Sequence, residues 1–304
     1  MTVGWRKKSR WWEKGLAAIS ALAVSGTAAD ARAPAAPRPA LWKVADRDTT
    51  IYLFGTIHLL PQGTAWQSPT FAAAARSSDS LIVETIIDEK NPAALSGTMM
   101  RLGLSNGLPP IEQRVAPARR AALVTAIARS RVPVAALNRM ETWAAAFTLM
   151  GSQFADMQLR QDAGVETALK QQFSAAGKPI GQLETNAEQL GFFDALPEKA
   201  QRNLLEGAIE QPQAARKQFD EMLGAWSRGD VAAIGRTFNA ELASEPALRE
   251  LLLERRNANW TRWIEGRMGR PGAVMVAVGA GHLAGRDSVQ AMLGKRGWKV
   301  TRIQ

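Results

Sequence analysis

Six short runs of apolar, often β-branched residues punctuate the chain, at residues 50–55 (TIYLFG), 80–84 (SLIVE), 132–137 (VPVAAL), 178–183 (KPIGQL), 273–279 (AVMVAVG) and 298–303. Each has the length of a strand and is apolar on both sides of the pleat. Between them polar and apolar positions recur with helical period, for example over residues 117–131 and 141–157. Residues 189–269 read as a long helical block without a strand pattern. Strands alternating with helices predict an α/β fold with a largely parallel central sheet flanked by helices, the long helical block preceding the last strands. Continuous apolar strands agree, because helices cover both faces of such a sheet.

Ligands of open α/β sheets bind beyond the carboxyl ends of the strands, so the residues that stop each run carry the chemistry. The first run exits through Gly55-Thr56-Ile57-His58, the second ends in Glu84, the third in Asn138-Arg139 and the fourth in Glu184, and the fifth runs into Gly279-Ala280-Gly281-His282. The chain has two histidines. Both follow the same pattern of apolar strand, glycine, two residues, histidine. Two imidazoles with one or two carboxylates suit a Zn, Mn, Co or Fe ion. The same groups also serve as a metal-free acid/base set. In the helical block Leu248, Leu252, Trp260 and Trp263 share one helical stripe, with Arg256 in its middle and Asn257 beside it. A guanidinium there is an oxyanion holder, one half of a structural Arg–carboxylate pair, or a snorkelling arginine with its stem on the core. Trp66, Trp143 and Trp226 read as core or pocket wall.

Composition narrows the options. The absence of cysteine excludes disulfides, thiolate nucleophiles, zinc fingers and iron–sulfur clusters. No nucleophile elbow, phosphate-binding loop or His-Glu-x-x-His helix is present. The net charge of +10 is partly terminal: residues 1–33 hold six basic and two acidic side chains, and the rest is dispersed. Without a dense basic run or interleaved aromatics, a nucleic-acid partner is not expected. Residues 1–29 read as a signal peptide, with a basic start, the apolar run 16–24 and small residues after it. That run is shorter than a bilayer span, so no stable membrane insertion is expected after cleavage. Residues 30–40 form an Ala/Pro-rich tether and 41–304 one domain. The expected location is the periplasm. The oligomeric state is not legible.

Several of these segments together resemble the TraB/GumN family. They are Leu41-Trp42-Lys43-Val44, residues 50–60 (TIYLFGTIHLL), Leu81-Ile82-Val83-Glu84, residues 177–189 (GKPIGQLETNAEQ), Arg256-Asn257 with Trp260, and residues 278–285 (VGAGHLAG). The resemblance implies kinship with the TIKI metalloproteases and, more distantly, with erythromycin esterase and ChaN-like haem-binding proteins. It places His58 and His282 as the motif histidines, Glu84 and Glu184 as the acidic positions, and Glu166 as a secondary candidate. The resulting expectation is an exported hydrolase of peptides or proteins. His58, His282, Glu84 and Glu184 supply its ligands for a divalent metal (Mn, Co or Zn), one glutamate takes a proton from water, and Arg256 or Asn257 stabilises the oxyanion. The alternative is a non-catalytic protein that binds a peptide signal or haem in the same cleft.

Overall fold

A computed structural model describes residues 36–87, 92–105, 107–243 and 246–304. The signal peptide and the first part of the tether lie outside these residues. Six strands form one sheet: β1 (Leu41–Ala45), β2 (Thr49–Thr56), β3 (Ser80–Val83), β4 (Ile180–Gln182), β5 (Gly272–Gly279) and β6 (Val300–Arg302), in the order β4-β3-β5-β2-β1-β6. The four strands β4, β3, β5 and β2 run parallel, and the edge pair β1 and β6 closes the sheet with antiparallel contacts. This is the α/β class that the apolar runs predict.

Helix α1 (Pro69–Ser77) joins β2 to β3. Between β3 and β4 come α2 (Pro92–Gly103), α3 (Arg120–Ser130), α4 (Val134–Leu137), α5 (Thr142–Asp156) and α6 (Val165–Ala175). The long helical block follows β4 as α7 (Asn186–Asp194), α8 (Glu198–Ala208), α9 (Pro212–Ser227), α10 (Val231–Ala243), α11 (Pro246–Arg249) and α12 (Arg255–Met268). A π-helical turn, Glu250–Glu254, leads into α12. Helix α13 (Val289–Lys295) precedes β6. Among the described residues no helix is long and apolar enough to cross a membrane.

Side-chain alternation along the strands feeds two separate cores. On β5, Met275 and Ala277 join Phe54, Trp66, Phe71, Leu81, Val165 and Trp226 on one face. Val274, Val276 and Val278 join Leu53, Trp260, Ile264 and Leu283 on the other. A third cluster, around Leu123, Leu137, Leu149 and Leu205, ties the helices of the β3–β4 excursion to α8.

Two elements depart from the sequence reading. The run 132–137 is not a strand: Arg131 ends α3 in a left-handed conformation, Pro133 starts α4, and Leu137 is buried in the helical cluster. A proline has no N–H for a sheet ladder, so this apolar run folds as a turn of helix. The residues after it go with it. Asn138 caps α4 and accepts from Arg114 and from Ile111 N, so it ends a helix and not a strand. Strand β1 went unread because Lys43 and the flanking polar residues interrupt its pattern. The Asp46 carboxylate accepts from the N–H groups of Asp48 and Thr49, and this turn folds β1 back on β2.

Candidate functional site

The parallel strands finish almost level, with Thr56 beside Gly279, and Val83 beside both Ala277 and Gln182. The next few residues of each strand therefore share one edge. His58 leaves β2, Glu84 leaves β3, Glu184 leaves β4 and His282 leaves β5. Gly279 sits between them: a Cβ placed there would be 3.2 Å from Glu84 Oε1, 3.7 Å from His282 Cδ2 and 3.9 Å from His58 Nε2. A side chain at this position would crowd the Glu84 carboxylate and fill the space between it and the two imidazoles, which gives the glycine a steric purpose. Helix α12 supplies the rest, since the π turn ahead of it changes its register and Arg256, Asn257 and Trp260 all face inward, buried.

Arg256 is the hub. Its Nε donates to both oxygens of Glu184 at 3.0 and 3.1 Å, and its Nη2 to Glu84 Oε2 at 2.6 Å and Glu184 Oε2 at 2.8 Å. Its Nη1 reaches His282 Nε2 at 3.1 Å and Leu252 O at 3.4 Å. All five N–H groups of the guanidinium are thereby occupied. The Trp260 ring packs 4.7 Å from the guanidinium, and its Nε1 donates to Glu184 Oε1 at 2.9 Å. Arg256 thus forms the buried Arg–carboxylate contact that was one of its sequence readings, and forms it with both glutamates. Asn257 is equally occupied: its Nδ2 donates to His282 O and Asp287 O, and its Oδ1 lies 2.6 Å from His282 Nδ1. Neither residue has a spare N–H to offer an oxyanion in this arrangement.

These contacts fix the tautomer of His282. Arginine can only donate, so His282 Nε2 accepts, and Nδ1 carries the proton that Asn257 Oδ1 receives. Burial pushes the pKa of His282 down to about 3, with Arg256 adding to the fall against the pull of Glu84. His58 is set differently. Its Nδ1 lies 2.9 Å from Glu166 Oε1, and its side chain is 63% exposed. The Glu166 charge raises its pKa to about 9 against partial desolvation, and solvent around the exposed ring screens part of that pull.

The two glutamates diverge as well. Burial pushes Glu84 up, but Arg256, both histidines and the Gly279 N–H together hold it at about 2. Glu184 is shifted above the ordinary carboxylate range by burial, against Arg256 and with a further push from Glu84. Two carboxylates thus share one guanidinium, one kept ionised and the other made more basic.

The structure brings His58, His282, Glu84, Glu184, Arg256 and Asn257 to one place. Among the described residues, no three histidine or carboxylate groups yet surround a single point closely enough to hold a metal ion. Sequence reasoning passed over two contributors. Gln189, on α7, donates to Glu84 Oε2 at 3.0 Å, and Thr56 donates to Glu166 Oε1. Gln189 lies on a helix and has no strand-end signal. Trp66, Trp143 and Trp226 are core residues, as expected.

A sequence profile of the TraB/PrgY/gumN family matches residues 40–302. The chain is also similar to the Escherichia coli (strain K12) protein YbaP, itself uncharacterized, with 23% identity over 246 residues covering 80% of this chain and 87% of YbaP. The YbaP of Shigella flexneri matches to the same extent. No solved structure matches.

Proposed function

Because the chain belongs to the TraB/PrgY/gumN family, we propose that it is an exported, metal-dependent hydrolase of peptide bonds, working in the periplasm on a peptide or protein. The observation that carries the reading is the pair Glu84 and Glu184 on one guanidinium. Their proton affinities are driven apart, and divergent carboxylates of this kind mark acid/base assignments.

The donors suit a divalent cation in type. His282 Nε2, whose lone pair accepts from Arg256 Nη1, would exchange that hydrogen bond for the ion, and Glu84 Oε1 lies 4.0 Å from it. His58 Nε2 adjoins the same glycine, and each histidine is anchored through Nδ1 on an oxygen, as metal-binding imidazoles usually are. Both glutamates are already hydrogen-bonded, Glu84 by Arg256, Gln189 and Gly279 N and Glu184 by Arg256 and Trp260. The shell proposed is His58 and His282 with Glu84, whose Oε1 faces His282, and Mn, Co or Zn are the candidate ions. Such an ion polarises a scissile carbonyl and acidifies a bound water.

The chain's own residues do the rest. Arg256 keeps Glu84 ionised and holds Glu184 in place. Glu184, the more basic carboxylate, accepts the proton of the attacking water. Asn257 keeps the His282 lone pair turned inward.

The test is metal analysis of the purified mature protein beside a peptide-library cleavage assay. Chelator-sensitive, metal-restored cleavage is expected. His58→Ala and His282→Ala should each abolish most metal uptake, and the double variant should be little worse. Unchanged uptake in both single variants overturns the shared site. A strong visible absorption on haem addition, lost in both variants and without cleavage, would favour the binding-protein reading instead.

A further inference from the structure

The stretch Thr56 to His58 is stitched to the start of α6 by three contacts. Val165 N donates to Ile57 O at 3.0 Å, His58 Nδ1 meets Glu166 Oε1 at 2.9 Å, and Thr56 Oγ1 donates to the same Glu166 oxygen. The fit is tight. A Cβ on Gly164 would stand 1.9 Å from His58 O, so only glycine allows α6 to begin this close to the β2 exit.

The burial of the three groups is graded. Thr56 is 2% exposed, the Glu166 side chain 14% and the His58 side chain 63%. An exposed histidine would ordinarily sample several rotamers, and holding one costs conformational entropy. A flexible surface carboxylate could not impose that order, since exposed ion pairs contribute little. Glu166 is not flexible. It lies in the first turn of α6, where the helix dipole favours its charge, and a buried hydroxyl grips the oxygen that faces His58. Its other oxygen, Oε2, is buried without a hydrogen-bond partner among the described residues. Leaving a carboxylate oxygen so is unfavourable for stability alone.

We infer that Glu166, seated by Thr56, is the positioning residue that aims the exposed His58 ring, through Nδ1, so that Nε2 faces Gly279 and Glu84. The inference concerns the same site as the hydrolase reading and rests on that reading only for the metal arm of its test.

Because the chain has two histidines, histidine-labelled protein gives two ring systems by NMR. Three-bond couplings of the exposed His58 ring then report whether one rotamer is held. Metal-free wild type is expected to show a single rotamer. Glu166→Ala should average it, Glu166→Gln should retain most of it through the remaining acceptor oxygen, and Thr56→Val should loosen it while keeping the carboxylate. Co²⁺ titration of the same proteins forms the second arm, with affinity falling about 10- to 100-fold in Glu166→Ala and less in Glu166→Gln. Thermal melts verify that each variant folds, and Thr56→Val stands in if Glu166→Ala does not. An averaged His58 ring in wild type, or a fixed ring in both Glu166→Ala and Thr56→Val, overturns the inference. Wild type that binds no Co²⁺ while its ring is held, and released by Glu166→Ala, supports the positioning role and counts against the metal-dependent hydrolase.

Discussion

Arg256 neutralises two buried carboxylates, so its loss leaves both without a counter-charge. Arg256→Met should cost about 3–5 kcal/mol. For a chain of this size that lowers the melting temperature by about 10 °C, readable in a thermal melt. Adding Glu84→Gln and Glu184→Gln should recover most of the loss, and a melt unchanged by Arg256→Met would contradict the hub. The metal-free protein should also show a stability maximum near pH 6.5. His282, depressed to about 3, stays neutral in the fold while the unfolded chain takes up a proton, so stability falls as pH drops below about 6.5. Glu84, depressed to about 2, adds a further loss as pH falls from 4.5 toward that value. Glu184, raised by burial, offsets part of the acid loss, because its protonation in the fold becomes favourable as pH falls. His58, raised to about 9, acts in the opposite sense, and its contribution fades as pH rises from 6.5 through 9. Urea midpoints that stay level between pH 6.5 and 4 would contradict the acid arm. At this scale the residues that gather at the strand ends were legible because a strand-end histidine or glutamate stands out against an apolar run. Arg256 stood out as a charge within an apolar stripe. The roles were less legible: a sequence does not count how many N–H groups of Arg256 or Asn257 are already bound.

At the scale of elements, the β2 exit and the start of α6 form one unit. Gly164→Ala must push them apart, and overpacking of this kind costs about 1–3 kcal/mol. The damage should be local to the site. The variant's Co²⁺ affinity should fall with His58→Ala-like severity, and wild-type affinity in a destabilised Gly164→Ala would separate the helix start from the site. The same scale shows where pattern reading fails. Residues 50–55 and 273–279 were read correctly because β2 and β5 are buried on both faces and carry long apolar runs. Residues 132–137 look alike in sequence, yet Pro133 and the positive φ of Arg131 decide for helix. A short apolar run does not state whether a sheet or a helical layer will bury it.

For the whole molecule, the sheet order matters most. Strand β5 lies between β3 and β2 and pairs with both, and β6 closes the far edge on β1. Removing residues 273–304 should therefore abolish cooperative unfolding rather than trim the domain, as followed by circular dichroism on heating. A truncated protein with a sharp transition would refute this. The position of β5 also sets a clock. The two neighbours it must join are synthesised long before it, and they stay unbridged while the whole helical block is made. Contacts so distant in sequence form slowly. His58 and Glu84 can meet His282 only after the helical block and β5 have been made, so a nascent fragment that stops short of β5 cannot assemble this cluster, which forms in one late step.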